Sequence, residues 1–202
     1  MNSWLDAGKS ELASYYIHPT GKSKDAYFFS GLEAAKKIKN LLPADAIDIM
    51  EYGCGNGRIL THLKDYKTVG VDIVPEFVYE CNAKHIEAHV IKDYPFEPIF
   101  DVVFAYTVFI HLNKSDAKEA LKNIYKSLKP GGLALVQVPI YDFNNDPTNW
   151  IDVGTWNQEL FKLIVEGVGF KIIQMHKNPG RFSYKNIGKN HDEFQILKKM
   201  LI

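Results

Sequence analysis

Residues 48–58 read Asp-Ile-Met-Glu-Tyr-Gly-Cys-Gly-Asn-Gly-Arg, and this stretch sets the architecture expected for the whole chain. Its apolar start predicts a strand. Three glycines at alternate positions (Gly53, Gly55 and Gly57) let the backbone turn tightly and approach a ligand closely. The spacing that follows predicts a helix over Gly57–Tyr66, whose amino end favours a polar or charged group. In an open α/β sheet such a crossover lies beside the ligand crevice, although a tight turn without a ligand stays an alternative.

Short apolar runs alternate with helical patterns along the rest of the chain. The runs are rich in Ile, Val and Phe and mostly continuous, which is typical of parallel strands buried on both faces. The last two runs have no helix between them, and this direct connection favours an antiparallel hairpin. The sequence therefore predicts an α/β fold with helices on both faces of the sheet. The predicted strands are Ala46–Glu51, Thr68–Asp72, Ala88–Lys92, Phe100–Ala105, Leu133–Val138, Phe170–Met175 and Glu193–Lys199.

Composition and charge are those of an ordinary globular protein. The chain has 202 residues, and 24 Lys and Arg balance 24 Asp and Glu, so the formal net charge is zero. A protein that binds nucleic acid or membrane surfaces usually carries a basic excess, so neither partner is expected. The length favours a single domain, residues 1–202. Two cysteines, Cys54 and Cys81, and short apolar runs favour a reduced, cytoplasmic protein without a membrane segment.

Three acidic residues mark the ends of the first three predicted strands. Glu51 stands just before the glycines, Asp72 ends the second run, and Asp93 follows the third. A carboxylate at the end of the second strand accepts hydrogen bonds from the hydroxyls of a ribose. Each acid alone is more often a solvated loop residue, but three in register indicate a single crevice.

The ordered motifs resemble those of the class I S-adenosylmethionine (SAM)-dependent methyltransferases. The resemblance covers residues 46–138, and the pattern of strands and helices extends it to residue 202. It implies a Rossmann-like, mostly parallel sheet of seven strands in the order 3-2-1-4-5-7-6, with the last strand antiparallel. The segments that carry it are Glu51–Gly57, Gly70–Asp72, Asp93–Phe96 with Phe100–Val103, and Leu128–Gly132.

The resemblance also implies a role for each residue on the cofactor side, with SAM as the cofactor and S-adenosylhomocysteine (SAH) as the product. The glycine loop packs on the methionine and ribose portions, with Glu51 near the ammonium group. Asp72 holds the ribose hydroxyls, and Asp93 accepts from the adenine amine. The other residues assigned to the cofactor are Tyr52, Gly53, Cys54, Gly55, Gly57, Arg58, Ile73, Tyr94 and Tyr106.

The acceptor is expected to be a small molecule methylated on oxygen or nitrogen. Methyl transfer from a sulfonium is an in-line displacement, so a base helps only when the acceptor must lose a proton early. His111, beyond the fourth strand, is the candidate base, and a structural loop histidine is the alternative. The segment after the fourth strand lacks the tetrapeptide of enzymes that methylate amino groups of nucleic acids. Candidate acceptor contacts are Tyr141, Trp150, Arg181 and Tyr184.

Three regions are expected within the single domain. Residues 1–45 form an aromatic arm and a helix, which either close over the cofactor as a lid or simply pack on the sheet. Residues 46–138 form the SAM-binding core, and residues 139–202 form the acceptor-side loops and the C-terminal hairpin. No metal is expected, because the calcium-like segment that begins at Asp142 has Pro147 in place of the required glycine.

Three other functions stay open. A protein that binds SAM without turnover and serves as a scaffold would also keep Glu51, Asp72 and Asp93. An RNA or protein methyltransferase would use the basic residues of 177–190, and its activity would fall steeply with salt. An NAD-dependent oxidoreductase is least favoured, because Arg58 stands where the dinucleotide fingerprint requires its third glycine. The sequence makes no prediction of the oligomeric state.

Overall fold

The strands form one mixed sheet in the computed structural model, which describes residues 3–141, 143–179 and 191–200. Within these residues the strands are β1 (Asp48–Tyr52), β2 (Lys67–Asp72), β3 (Ala88–Val90), β4 (Phe100–Ala105), β5 (Leu128–Pro139), β6 (Phe170–Pro179) and β7 (His191–Lys199). Their order is β3-β2-β1-β4-β5-β7-β6, and helices lie on both faces of the sheet. This arrangement confirms the predicted fold.

Six α-helices accompany the described strands. They are α1 (Trp4–Gly8), α2 (Ala13–Ile17), α3 (Lys24–Lys39), α4 (Pro75–Ala83), α5 (Lys114–Ser127) and α6 (Gln158–Val168). β1 pairs with β2, β2 with β3, and β4 with β5 in parallel. β7 pairs antiparallel with both β5 and β6. The antiparallel pairing of β6 with β7 is the one that the sequence predicted for the last two strands.

The first compact unit, Met1–Pro95, contains α1–α4 and β1–β3. In α3, the buried residues include Ala34, Ala35 and Ile38. The arm ahead of α3 forms the short helices α1 and α2. Its Ala13 packs into a buried cluster with Val74 and Phe77 at the start of α4. The arm is thus held on α4 by apolar contacts.

The predicted helix over Gly57–Tyr66 is wrong. Only a 3₁₀ turn, Leu60–His62, forms there. The glycine loop enters the segment at positive φ, as at Gly57 (φ +80°), and β2 begins at Lys67, so the chain has little length for an α-helix. The apolar side chains of Ile59, Leu60 and Leu63 are nevertheless buried. The spacing of apolar residues therefore predicted the buried side chains correctly, although the segment forms a 3₁₀ turn instead of an α-helix.

The second compact unit, Phe96–Ile202, contains β4–β7 with α5 and α6. The sequence favours Ser115 as the cap of α5, but Asn113 is the cap, and its side chain accepts from the backbone N–H of Asp116. The cap of α6 is likewise Asn157 instead of Thr155. Asparagine caps a helix as well as serine does, so both helices begin close to the expected position.

Candidate functional site

The glycine loop between β1 and the 3₁₀ turn adopts a backbone that requires glycine. Gly53, Gly55 and Gly57 have φ of +78°, +52° and +80°. A Cβ atom on Gly57 would lie 2.8 Å from Cδ1 of Ile86, so a larger residue would meet both strain and a clash. The backbone nitrogen of Gly53 donates to the Val71 carbonyl at 2.7 Å, which fixes the loop on the end of β2.

Asp72, the last residue of β2, binds the backbone of this loop through its carboxylate. Its carboxylate accepts from the backbone nitrogen of Gly55 at 2.8 Å and from that of Val74 at 2.9 Å. Burial raises the pKa of Asp72 to about 6, against the lowering effect of these hydrogen bonds. A carboxylate has about four acceptor positions, so capacity remains for hydroxyl donors of a ligand.

Glu51, near the end of β1, is a buried acid that lacks a full set of partners. It is 2% exposed, and its Oε2 atom has no hydrogen-bond partner among the described residues. Burial raises the pKa of Glu51 well above its usual value, although the positive charge of Arg58 opposes this. A buried polar atom without a partner is costly, and a cationic donor would both satisfy it and stabilise its charge.

Arg58, just after the last glycine, is directed to α3. Its guanidinium donates to the Ser30 hydroxyl at 3.2 Å and lies 5.9 Å from the centre of the Tyr27 ring. A Cβ atom on Gly31 would lie 2.2 Å from the Arg58 carbonyl oxygen, so α3 packs directly on this backbone. The residue is buried, and these contacts hold its position.

Asn56, inside the glycine loop, is a site residue that the sequence did not single out. Its Oδ1 accepts from the Tyr27 hydroxyl at 2.7 Å. Its Nδ2 donates to the Ser14 hydroxyl of α2 at 3.2 Å and to the Glu80 carboxylate of α4 at 3.0 Å. Nearby, Ile17 of α2 lies over Gly55, because a Cβ there would be 3.2 Å from its Cδ1 atom. The side-chain amide of Asn56 therefore links α2 of the arm to the glycine loop by a hydrogen bond.

The residues predicted around an adenine occupy the ends of β2 and β3. Ile73 is 50% exposed. Asp93 ends the 3₁₀ turn Ile91–Asp93 and is exposed. The Tyr94 ring lies 5.2 Å from the His89 ring. Of the remaining predicted cofactor residues in this unit, Tyr52 and Cys54 are both buried.

His111 in the second unit lies in a segment that the loop after β5 holds in place. Its Nδ1 atom is 3.0 Å from the carbonyl oxygen of Asp152. Gly154 donates to the Ile110 carbonyl at 2.7 Å, and the Trp156 indole donates to the Phe109 carbonyl at 3.4 Å. A carbonyl oxygen only accepts, so Nδ1 carries the hydrogen and Nε2 carries the lone pair of the neutral ring. Burial lowers the pKa of His111, which favours this neutral form.

The geometry and the comparisons with known proteins agree on the architecture. The family model described as "Methyltransferase domain" matches residues 50–136, a span that contains the glycine loop, Asp72 and His111. The chain has the fold of the class I SAM-dependent methyltransferases. The resemblance drawn from the sequence is thereby confirmed at the level of the fold.

Individual relatives and solved structures show how much of the chain is similar to known methyltransferases. Thiocyanate methyltransferase 1 of Arabidopsis thaliana is 26% identical over 141 residues, which are 63% of this chain and 60% of that protein. A SAM-dependent methyltransferase of Methanosarcina mazei superposes with a TM-score of 0.65 at 18% identity, covering 82% of this chain and 98% of the other. The 1,6-didemethyltoxoflavin-N1-methyltransferase of Burkholderia thailandensis, solved with bound 1,6-didemethyltoxoflavin and SAH, superposes with a TM-score of 0.64 at 15% identity. The superposition covers 98% of this chain and 89% of the other. These structures establish the fold, and the chain spans about 60% of the plant relative.

The predicted acceptor contacts are only partly described. The backbone nitrogen of Tyr141 donates to the Trp156 carbonyl at 2.8 Å, and Trp150 is half-buried in the loop after β5. Arg181 and Tyr184 lie outside the described residues. Among the residues that are described, no three His, Cys, Asp or Glu side chains converge as a metal site would require. Nor does any described helix have the length and apolar character needed to cross a membrane.

Proposed function

We propose that this protein transfers the methyl group of SAM to an oxygen or nitrogen atom of a small molecule by in-line displacement. The observation that supports this most directly is the buried Glu51 carboxyl group, whose Oε2 lacks a partner within the described chain. It stands just before a glycine loop, and a second buried acid, Asp72, supports that loop from the next strand. The ammonium group and the ribose hydroxyls of SAM are donors that match these two acids.

Each residue of the first unit then has a binding task. Glu51 accepts from the ammonium group, and Asp72 accepts from the ribose hydroxyls while it also orders the glycine loop. Asp93 and the apolar Ile73 serve the adenine. SAM supplies a methyl group already activated by positive sulfur, so the protein mainly provides alignment and exclusion of water. The remaining proposed cofactor contacts are Tyr52, Gly53, Cys54, Gly55, Gly57, Arg58, Tyr94 and Tyr106.

The acceptor side is proposed to be served by the second unit. The neutral ring of His111 has its lone pair on Nε2, which is the form that a general base needs. Relatives named for small acceptors, thiocyanate and a toxoflavin precursor, favour a small molecule here. Tyr141 and Trp150 are the described residues proposed to contact it, and Arg181 and Tyr184 are further candidates.

Calorimetric titration with SAH, with NAD as the control ligand, tests the cofactor first. Binding of SAH alone supports the proposal, and binding of NAD alone contradicts it. SAH release is then measured with a panel of hydroxyl, amine and thiocyanate acceptors. Binding of SAH without release from any acceptor pool would favour a scaffold, and activity confined to RNA or protein substrates would favour that class of enzyme.

The affinity for SAH is expected to fall as the pH drops below about 6. Ribose hydroxyls bind the ionised Asp72, whose pKa is raised to about 6 in the free protein. Below that pH a proton must leave before the hydroxyls bind, so the affinity falls by up to about tenfold per pH unit. Titrations from about pH 8 to about pH 5 measure this.

The Glu51→Gln variant assigns the titrating group. Glu51 also has a raised pKa, so it is the other candidate for this pH dependence. If Asp72 is responsible, the variant binds more weakly but keeps the same slope below pH 6. If the pH dependence of the SAH affinity disappears in Glu51→Gln, Glu51 and not Asp72 is the titrating group.

The arm is proposed to act as a lid, and the Asn56→Ala variant tests this. The change removes hydrogen bonds to Tyr27, Ser14 and Glu80, of which those to Tyr27 and Ser14 are each worth about 0.5–1.5 kcal/mol. Hydrogen exchange of α2 amides should speed up, and SAH affinity should fall by about three- to tenfold. The matched control is Asn82→Ala, because the Asn82 side chain binds α4 to β3, donating to the Ala88 carbonyl and accepting from the Ala88 backbone nitrogen. The lid would be contradicted if both variants changed the exchange rate of the α2 amides equally. It would also be contradicted if SAH binding did not change that exchange rate.

A further inference from the structure

The segment after β4 contains a strained residue to which none of the roles above gives a task. Thr107 has φ of +59°, a left-handed conformation that β-branched side chains rarely adopt. It directly follows Tyr106 and stands a few positions before His111. Strain of this kind persists only where neighbouring contacts hold it, and it concentrates at functional sites. The contacts that hold Thr107 therefore control how this segment leaves the sheet.

Gln137 of β5 supplies the main described contact. β4 ends its pairing with β5 at Ala105 opposite Val136, and Gln137 is the next residue of β5. Its Oε1 accepts from the Thr107 backbone nitrogen at 2.8 Å, so a side chain binds an N–H just beyond the paired strand. Gln137 is 2% exposed, so water competes little for this bond. The Thr107 hydroxyl donates to the Tyr106 carbonyl at 2.7 Å and completes the turn.

We propose that Gln137 is a positioning residue for methyl transfer. By accepting from Thr107 it keeps the left-handed turn and thereby sets the placement of Tyr106 and His111. This inference rests on the proposed function. When the acceptor at Gln137 is lost, Thr107 can relax to a negative φ, and the segment that carries His111 leaves the sheet in another direction. Misplacement of a reacting group slows transfer far more than it weakens ligand binding.

Gln137→Met tests this against a matched control, Gln195→Met. Methionine has nearly the same length as glutamine and accepts hydrogen bonds only weakly. Gln195 is also fully buried, on the neighbouring β7, and its amide donates to Gln158 of α6. Both variants remove a buried amide from the same sheet, and of the two side chains it is Gln137 that accepts from the Thr107 backbone nitrogen. A loss of kcat caused by changed packing alone would therefore appear in both variants.

The expected result for Gln137→Met is a kcat lower by about 10- to 100-fold, with the acceptor KM and the SAH Kd changed by less than about threefold. Hydrogen exchange at the Thr107 amide should become faster, a readout that does not depend on turnover. Gln195→Met should keep a kcat near the wild-type value at a similar melting temperature. Adding Thr107→Gly to Gln137→Met should restore part of the kcat, because glycine adopts positive φ without strain.

Three outcomes would overturn the inference. They are an equal loss of kcat in the two methionine variants, an unchanged exchange rate at the Thr107 amide, and no recovery in the Thr107→Gly double variant. Failure of the proposed function has a different signature, because wild-type protein itself would then release no SAH with any acceptor. The wild-type control therefore separates the two.

Discussion

His111→Ala is expected to lower kcat by about 100- to 10,000-fold while the SAH Kd changes little, which is the range for loss of a general base. The histidine ring is neutral because burial lowers its pKa, and its Nδ1 hydrogen points to the Asp152 carbonyl. In the proposed base role, Nε2 is consequently the atom that accepts the proton. Single-turnover kinetics with saturating acceptor measure the effect.

His111→Asn separates the base from a structural histidine. The asparagine side-chain nitrogen occupies a position similar to Nδ1, so it can keep the hydrogen bond to Asp152 while it has no basic lone pair. A base role predicts that His111→Asn is as slow as His111→Ala. A structural role predicts near wild-type rates in His111→Asn and a lowered melting temperature in His111→Ala alone.

The pH profile of kcat gives a second test of the same residue. A base acts only when it is unprotonated, so the rate falls as the pH drops through the pKa of His111. Because burial lowers that pKa, the fall should begin below the ordinary histidine range. The acidic limb should disappear in His111→Asn. A limb that persists there belongs to another group and contradicts the assignment.

The positions of the strands could be predicted because each buried strand leaves a separate apolar run in the sequence, whereas their order was implied by the resemblance to the class I methyltransferases. The runs near residues 48, 68 and 100 coincide with β1, β2 and β4 to within a few residues. The glycine loop could be located because left-handed backbone at Gly53, Gly55 and Gly57 restricts those positions to glycine. These features are local, so the sequence displays them directly.

The parts of the candidate site that escaped prediction depend on contacts between distant segments. Asn56 stands between two glycines of the loop, and its importance arises from Ser14, Tyr27 and Glu80 on three separate helices. Gln137 lies within an apolar strand, where alternation predicts burial but not a partner 30 residues away. No spacing rule within the sequence reports such pairs, since their geometry exists only after the sheet has formed.

Asp72→Ala is expected to weaken SAH binding by about 10- to 100-fold, the effect of about 1–3 kcal/mol from unpaired ribose hydroxyls and a loosened glycine loop. The backbone nitrogens of Gly55 and Val74 lose their acceptor in this variant. Calorimetry with SAH measures the affinity, and Asp65→Ala is the control, because Asp65 is an exposed acid of the same unit that pairs with Lys39.

The stability of Asp72→Ala should change much less than its affinity for SAH. The raised pKa means that the ionised Asp72 costs stability above about pH 6, and that cost disappears in alanine. Loss of the two backbone hydrogen bonds acts in the opposite direction, so the two effects partly cancel. A folded variant with a near wild-type melting temperature and weak SAH binding therefore assigns the loss to the ligand. If the folded variant instead binds SAH as tightly as the wild type, Asp72 is only a support for Gly55 and Val74, and the ribose must bind elsewhere.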